Sequence, residues 1–565
     1  MKRLVALLLT GCMTLSLCAC SNGGSGNQAS TSDTVAEEVV IEGDSNVNPA
    51  GEFPIVNEPI TLNIMVAQEA TVEDMVTNEF TLYLEELTGI HIEWETVPQS
   101  SASEKLNVML STGSELPDVF MGFDINLSQQ NTFGKDQGMF VNLEPYLETY
   151  GPNILKSFED MPTLEAMSKL PTGELYGISG AEETFHVKFQ EKLWIHEDYV
   201  EALGGELPTT TDEFKEMLIK IRDEDINGNG NTSDEIPLIG ATTGWSTDPV
   251  PFIMSAFIEY YEMDNVVSAE IPLTVVDGEI KVAAGIDDFK EGLMYMNELV
   301  SEGLLDPVSF TQDQNQLKTL TGNEENIVGV VASGAPGGAV NGVENHMKWT
   351  AIQPLVGPSG NEYTRYVPLS PTIGRYVITS ECENVEAAIR LVDYLMSEEG
   401  TLKSNIGTEG VDWYYNEDPE VLGLNGEQAV YIRVTPYGEV QNVNWGKIAP
   451  SNMHDSLRNG QAADVSATNT EQMLYDESAE KYESFNDSKF ILGVAILDED
   501  MSEFVDITTS LETYLKQVLT EYIVGTRSFD TWDAHVSTLE SMGVERLEEI
   551  LNTTYAAQYG SYGLE

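Results

Sequence analysis

"ITLNIMV" (60–66) alternates Ile60, Leu62, Ile64 and Val66 with Thr61, Asn63 and Met65, the two-residue period of a strand. The next fifty-odd residues decide the fold. "TNEFTLYLEELTG" (77–89) spaces Phe80, Leu84 and Leu87 as one helical face, and Gly89 stops it. "IHIEWETV" (90–97) reads as a second strand and "ASEKLNVMLSTG" (102–113) as a second helix, ended by Gly113. "LPDVFMGF" (116–123) is a third strand. Strand, helix, strand, helix, strand predicts an α/β chain with a parallel sheet. Ligands of such sheets sit beyond the carboxyl ends of the strands, where Gln68, Asp118, Phe123 and Asp124 are expected.

Upstream, Lys2 and Arg3 precede an apolar run from Leu4 to Leu17, too short to span a bilayer but suited to a signal-peptide core. It ends in "LCAC" (17–20), which resembles the bacterial lipobox and implies an acylated Cys20 at the mature N-terminus. Each buried acyl methylene would add about 0.8 kcal/mol to such a tether. Residues 21 to about 57 are rich in Gly, Ser, Thr, Asn and acids without a period, and are read as a flexible spacer. Three of the four cysteines lie in the leader. Cys382 is left without an intramolecular partner in the folded part, and an inert thiol is expected.

The formal net charge is −67, from 27 basic and 94 acidic side chains, and the leader takes two of the basic ones with it. Phosphate binding needs clustered Lys and Arg, so nucleic acid is excluded as a partner. The remaining length suits two lobes with sizeable cores, and no second apolar run could cross a membrane. No nucleophile motif, HExxH or phosphate loop appears, and the six histidines lack metal-ligand spacing, so no enzyme is expected.

Downstream, Thr210 and Glu213 form a capping-box pattern before the stripe Phe214, Met217, Leu218 and Ile221. "DEDINGNGNTSDEIP" (223–237) comes directly after. Hard cations such as calcium take roughly six to eight oxygens, which a loop supplies when side-chain oxygens alternate and glycines permit sharp turns. Asp225, Asn227 and Asn229 fall at positions one, three and five, with Gly230 at six and the Asn231 carbonyl at seven. Asp234 and Glu235 come next as closing carboxylates. A second register from Asp223 also fits, as does a metal-free polar turn. "RYVPLSPTIGRYVITS" (365–380) has the look of extended chain crossing between lobes, and the region after about 510 reads as nearly all helix, broken at Gly525 and Gly543.

The ordered set of the lipobox, "KLNVMLSTGSELPDVF", "LYGI", "KLWIHEDYVEALGGELPTTTDEF", "NGNG…DEIPL", "AAIRLVDYLMSEEG", "GTEGVDWYY" and "YIVGTRSFDTWDAHVSTLESMGVERLEEI" resembles the family 1 extracellular solute-binding proteins. The likeness is strongest to the large carbohydrate-importer lipoproteins of Gram-positive bacteria. It implies a two-lobed, type II periplasmic-binding-protein-like fold with a hinge and a helical C-terminal region. Residues 58–175 with about 355–405 would form one lobe, and 176–354 with about 406–565 the other. It also implies a monomer on the outer face of the membrane that passes a sugar to an ABC permease. A structural calcium on Asp225, Asn227, Asn229, Asn231, Asp234 and Glu235 is implied as well; one extra residue between NGNG and DEIP departs from the family's usual form.

Sugars need aromatic platforms and polar partners. Trp245, Trp349, Trp413, Tyr414 and Trp445 are candidate platforms, with core burial the alternative for each tryptophan. Gln68, Asp118, Asp124 and Glu409 are candidate polar partners, and Trp94 and Trp532 are assigned to the core. The competing ligands are a peptide on the same fold, or a glycan held by an adhesin or glycosidase.

Overall fold

Strands β1 (Ile60–Gln68), β2 (Ile90–Pro98) and β3 (Val119–Met121) run parallel, with Ile60 opposite Ile90 and Ile64 opposite Val119. The computed structural model describes residues 44–564, apart from 114, 264–265, 436–439 and 464–469. The leader and Cys20 lie outside the described residues. Between the strands, Asn78 accepts from the Phe80 N–H to start the helix Glu79–Thr88, and Gly89 ends it at φ 75°. Gly113 does the same at φ 59° for the helix Gln99–Thr112. Met65, placed on the solvent side by the alternation, is fully buried. A central parallel strand is covered on both faces, so its period fades.

The remaining strands are β4 (Ile178–Glu182), β5 (Leu193–His196), β6 (Ile236–Ile239), β7 (Leu273–Val276), β8 (Glu279–Val282), β9 (Val328–Ala332), β10 (Trp349–Ile352), β11 (Ser370–Ile378), β12 (Trp413–Tyr415), β13 (Tyr431–Arg433) and β14 (Asn452–Met453). One sheet has the order β14-β4-β11-β3-β1-β2, the other β10-β5-β9-β6; β7-β8 and β12-β13 form separate pairs. Both large sheets are mixed: β11 lies antiparallel between β3 and β4, and β5 antiparallel to β9.

The chain passes between the two sheets three times: from β4 to β5, from β10 to β11, and from β14 to the helix Thr470–Lys481. That helix docks on β10, where Glu477 accepts from the Ala351 N–H at 2.7 Å. Each lobe has its own core. In the second, Trp194, Ile195, Leu238 and Val330 pack in one cluster with Leu511, Leu515, Tyr522 and Leu551 of the C-terminal helices. Those helices span Asp498–Ile523, Trp532–Ser541 and Val544–Tyr559, with Gly525 and Gly543 at positive φ between them.

The sheets divide the chain differently from the expected boundaries. β4 and β14 belong to the first sheet, and Trp445 packs on Phe80 and Trp94 of that lobe. The spacer also ends earlier than residue 57. Ile55 and Val56 are buried, and the buried Arg390 donates to the Pro49 and Glu52 carbonyls. Two apolar side chains and a guanidinium that needs acceptors hold 44–57 against the first lobe.

The capping pattern at 210–213 is half as expected. The Thr210 hydroxyl accepts from the Glu213 N–H, but the Glu213 carboxylate turns to the Thr209 N–H at 2.9 Å.

Candidate functional site

The carboxyl ends of β1, β3 and β4 in one sheet and of β6 and β9 in the other lie where the crossings begin. Trp245, in the loop after β6, lies against Gly334, just past the end of β9. A Cβ on Gly334 would come within 2.6–2.7 Å of the ring atoms, so only glycine admits this contact. The indole N–H donates to Gln190 Oε1 at 3.1 Å, and the His186 ring stands 6.3 Å away, edge-on. Both partners sit on the first crossing. Trp245 is nonetheless 37% exposed. It is a large aromatic surface, oriented by a backbone and an amide and left open to a ligand.

Gln190 also lines a cavity of about 540 Å³, whose walls include Asp124, Tyr261, Glu262, Arg365, Tyr366 and Phe490. That volume falls in the range of small-molecule sites, and its mix of rings and polar groups suits an amphiphilic ligand. Arg365, on the second crossing, is almost fully buried; its Nη1 lies 2.6 Å from Glu262 and 3.3 Å from Glu191. Burial pushes Glu191 up to about 7 against the pull of Arg365. Asp124, at φ 52° just past β3, pairs with Arg375 at 3.1 Å; burial raises its pKa and Arg375 opposes the rise.

At the end of β4, Glu182 joins Lys447 at 2.6 Å and Arg458 at 2.8 Å, and Arg458 reaches on to Glu471 at 2.6 Å. Burial works to raise the Glu182 carboxyl, but Lys447 and Arg458 hold it far below the usual range. His186, beside them, is driven down to about 3 by burial, so it is neutral.

Several candidates lie elsewhere. Trp349, Trp413 and Trp445 are buried core residues. Trp413 donates to the Gly407 carbonyl at 2.9 Å, Trp445 to Thr81 at 2.8 Å, and Trp349 packs edge-on with His196. A buried indole with its N–H satisfied offers no face to a sugar. Asp118 sits at the amino end of β3, not the carboxyl end, where it accepts from the Asn63 N–H at 2.8 Å. Gln68 spends its amide on the Val72 and Glu73 carbonyls, shaping the loop after β1. Tyr414 and Glu409 are exposed around β12 and do not line the cavity; Glu409 lies 3.7 Å from Lys403. Trp532 is buried as expected, and Trp94 is half-buried against Trp445. Of the proposed site residues, the structure brings Trp245 and Asp124 to the junction. Gln190, Glu191, Tyr261, Arg365 and Arg375 were not foreseen, although the crossing segment that carries Arg365 and Arg375 was.

In the acidic loop, Asp223 faces solvent and is bound by Arg222 at 2.7 and 2.8 Å, which disfavours the register that starts there. Asp225 accepts from the Gly230 N–H, Asn227 from the Asn229 N–H, and Asn229 from the Asn231 N–H, with Gly230 at φ 91°. Asp225 Oδ1, Asp234 Oδ1 and Glu235 Oε2 are buried without a hydrogen-bond partner. Orphaned buried carboxylate oxygens in one short loop are a fit for a hard cation. Among the described residues no three His, Cys, Asp or Glu side chains close around an ion. A loop of this kind relies on amide and backbone oxygens as well as carboxylates. Cys382 is buried, and burial pushes its thiol up to about 12, which leaves it unreactive at neutral pH.

Comparison with known proteins gives a match to the model of the bacterial extracellular solute-binding proteins over residues 66–402. The fructooligosaccharide ABC transporter substrate-binding protein FusA of Streptococcus pneumoniae is 26% identical over 558 residues, 95% of each chain. The solved structure of FusA with kestose superposes with a TM-score of 0.70 at 22% identity, covering 88% of this chain and 98% of that one. FusA has also been solved as an EF-hand mutant with fructo-nystose. An HMO-binding, ABC-transporter-associated solute-binding protein from Bifidobacterium longum infantis superposes with a TM-score of 0.73 at 17% identity, covering 89% and 99%. These likenesses show a two-lobed binding-protein fold.

Proposed function

We propose that this chain, which belongs to the bacterial extracellular solute-binding protein family, captures an oligosaccharide between its lobes and delivers it to an ABC permease. The observation that carries the reading is Trp245, held on Gly334 past the end of β9 and hydrogen-bonded to Gln190, which lines a cavity of about 540 Å³ walled in part by the first two crossings. A sugar's CH face would stack on the indole, while Gln190 and Asp124 would take its hydroxyls. The three crossings make a hinge, and a ligand touching both lobes would shift the population toward the closed form. The oligosaccharide-binding relatives support this choice of ligand. The role is binding, with no chemical step.

The acidic loop reads as a calcium site on Asp225, Asn227, Asn229, Asn231, Asp234 and Glu235. The ion would neutralise the orphaned carboxylates and tie the end of the helix Thr211–Asp223 to β6. The EF-hand of FusA supports it. At the other end, the lipobox reading makes an acylated Cys20 the tether to the outer face of the membrane.

Calorimetry against oligosaccharides and peptides tests the main reading. Binding of a sugar, with its affinity lowered in W245A, is the expected result. Binding of peptides alone would favour a same-fold peptide receptor, and release of product from a glycan would overturn a binding-only role.

A further inference from the structure

We infer, resting on the oligosaccharide reading above, that the sugar this junction takes is uncharged, because Arg365, the cation that lines the cavity among the described residues, is already held by carboxylates, and the cations on the segments around it are taken up by groups of the protein as well. Arg365 is only 5% exposed and bridges Glu262 and Glu191. Arg375 is paired with Asp124. Arg458 is shared by Glu182 and Glu471, and Lys447 by the same Glu182. Lys188 lies between Glu183 at 3.3 Å and Asp455 at 3.7 Å. Lys192 is buried on the His186 and Phe189 carbonyls, next to Glu191. Asp248 adds a further carboxylate, exposed to solvent, which accepts from the Val250 N–H.

At Arg365 a uronate or sialate would have to displace Glu262 or Glu191 from its partner. The displaced group would stay behind, partly or wholly buried and unpaired, which is among the costliest changes a site can make. Hydroxyls face no such exchange. The pairs present their more exposed ends outward, with the Asp124 side chain 49% and Lys447 48% exposed. A hydroxyl can donate to Asp124 or accept from Lys447 while the pair stays intact, whereas a ligand carboxylate would meet like charge at both, from Asp124 itself and from Glu182 beside Lys447. The protein's net charge of −67 acts in the same direction at long range.

The test is calorimetry of the folded chain with length-matched panels. One holds neutral fructo-, galacto-, xylo- and malto-oligosaccharides; the other holds oligogalacturonates, oligoalginates and sialylated lactose. Neutral ligands are expected to bind, and acidic ones at least tenfold more weakly or not at all. Acidic sugars that bind as tightly as any neutral one would overturn the inference and leave the sugar reading standing. Binding from neither panel would sink the sugar reading itself, and this inference with it. Asp124→Asn supplies an independent arm by leaving Arg375 without its carboxylate. The ratio of acidic to neutral affinity is expected to rise about tenfold; an unchanged ratio means these pairs do not set the charge preference.

Discussion

Trp245 and Trp445 show how one residue type takes opposite roles. Each comes after a turn signal, in "TTGWST" and "NVNWGK", so local sequence treats them alike. Trp445 is fully buried against Phe80 and Trp94, whereas Trp245 keeps more than a third of its surface. W445A is therefore expected to destabilise the protein by about 3–5 kcal/mol, the range for deleting a large buried aromatic. A denaturation midpoint close to wild type would place Trp445 outside the core. W245A is expected to keep the wild-type midpoint and lose tenfold or more in sugar affinity, about 1.4 kcal/mol. Unchanged affinity in calorimetry would remove Trp245 from the site. The two substitutions should separate stability from binding.

The loop 225–235 joins the helix Thr211–Asp223 to β6. Its residue types alternate legibly in the sequence, but two registers remain open at that level. The structure favours the one starting at Asp225, because Asp223 is bound by Arg222 while Asp225, Asp234 and Glu235 each keep a buried oxygen unpartnered. Chelation is expected to lower the melting temperature and to leave sugar affinity unchanged at temperatures where the protein stays folded. E235A should abolish the difference between chelated and calcium-loaded melts. Identical melting curves with and without chelator in the wild type would argue against a bound structural ion. A large affinity loss at unchanged stability would instead tie the ion to the sugar site.

Across the whole molecule, pH acts through the buried groups of the crossings. His186 has a pKa of about 3 in the folded protein, mainly from burial, against roughly 6.5 when unfolded. Its stabilising effect is fully present above pH 6.5 and is lost as pH falls toward 3. Glu191, raised to about 7 by burial, works the other way: its contribution is present at low pH and lost as pH rises through 7. H186Q cannot titrate, so it isolates the first effect. Its deficit relative to wild type at pH 7 is expected to shrink by several degrees by pH 4.5, read from paired melting curves. A constant gap would show that His186 is not held neutral. The opposed sign of Glu191 is why the pair of curves is more informative than the wild type alone.

The α/β class, the helices that alternate with β1 to β3, the C-terminal helices and the acidic loop could all be read from period, capping residues and composition. These are local properties, set within one or two turns of chain. The resemblance carried the two-lobed architecture. The membership of β4 and β14 in the first sheet, the burial of Trp349, Trp413 and Trp445, and the place of Asp118 at the wrong end of its strand were decided by tertiary structure. So was the meeting of Gln190, Trp245, Arg365 and Asp124, which come from four distant stretches of sequence. Burial and pairing depend on which segments the chain brings together, and no window of local sequence records that.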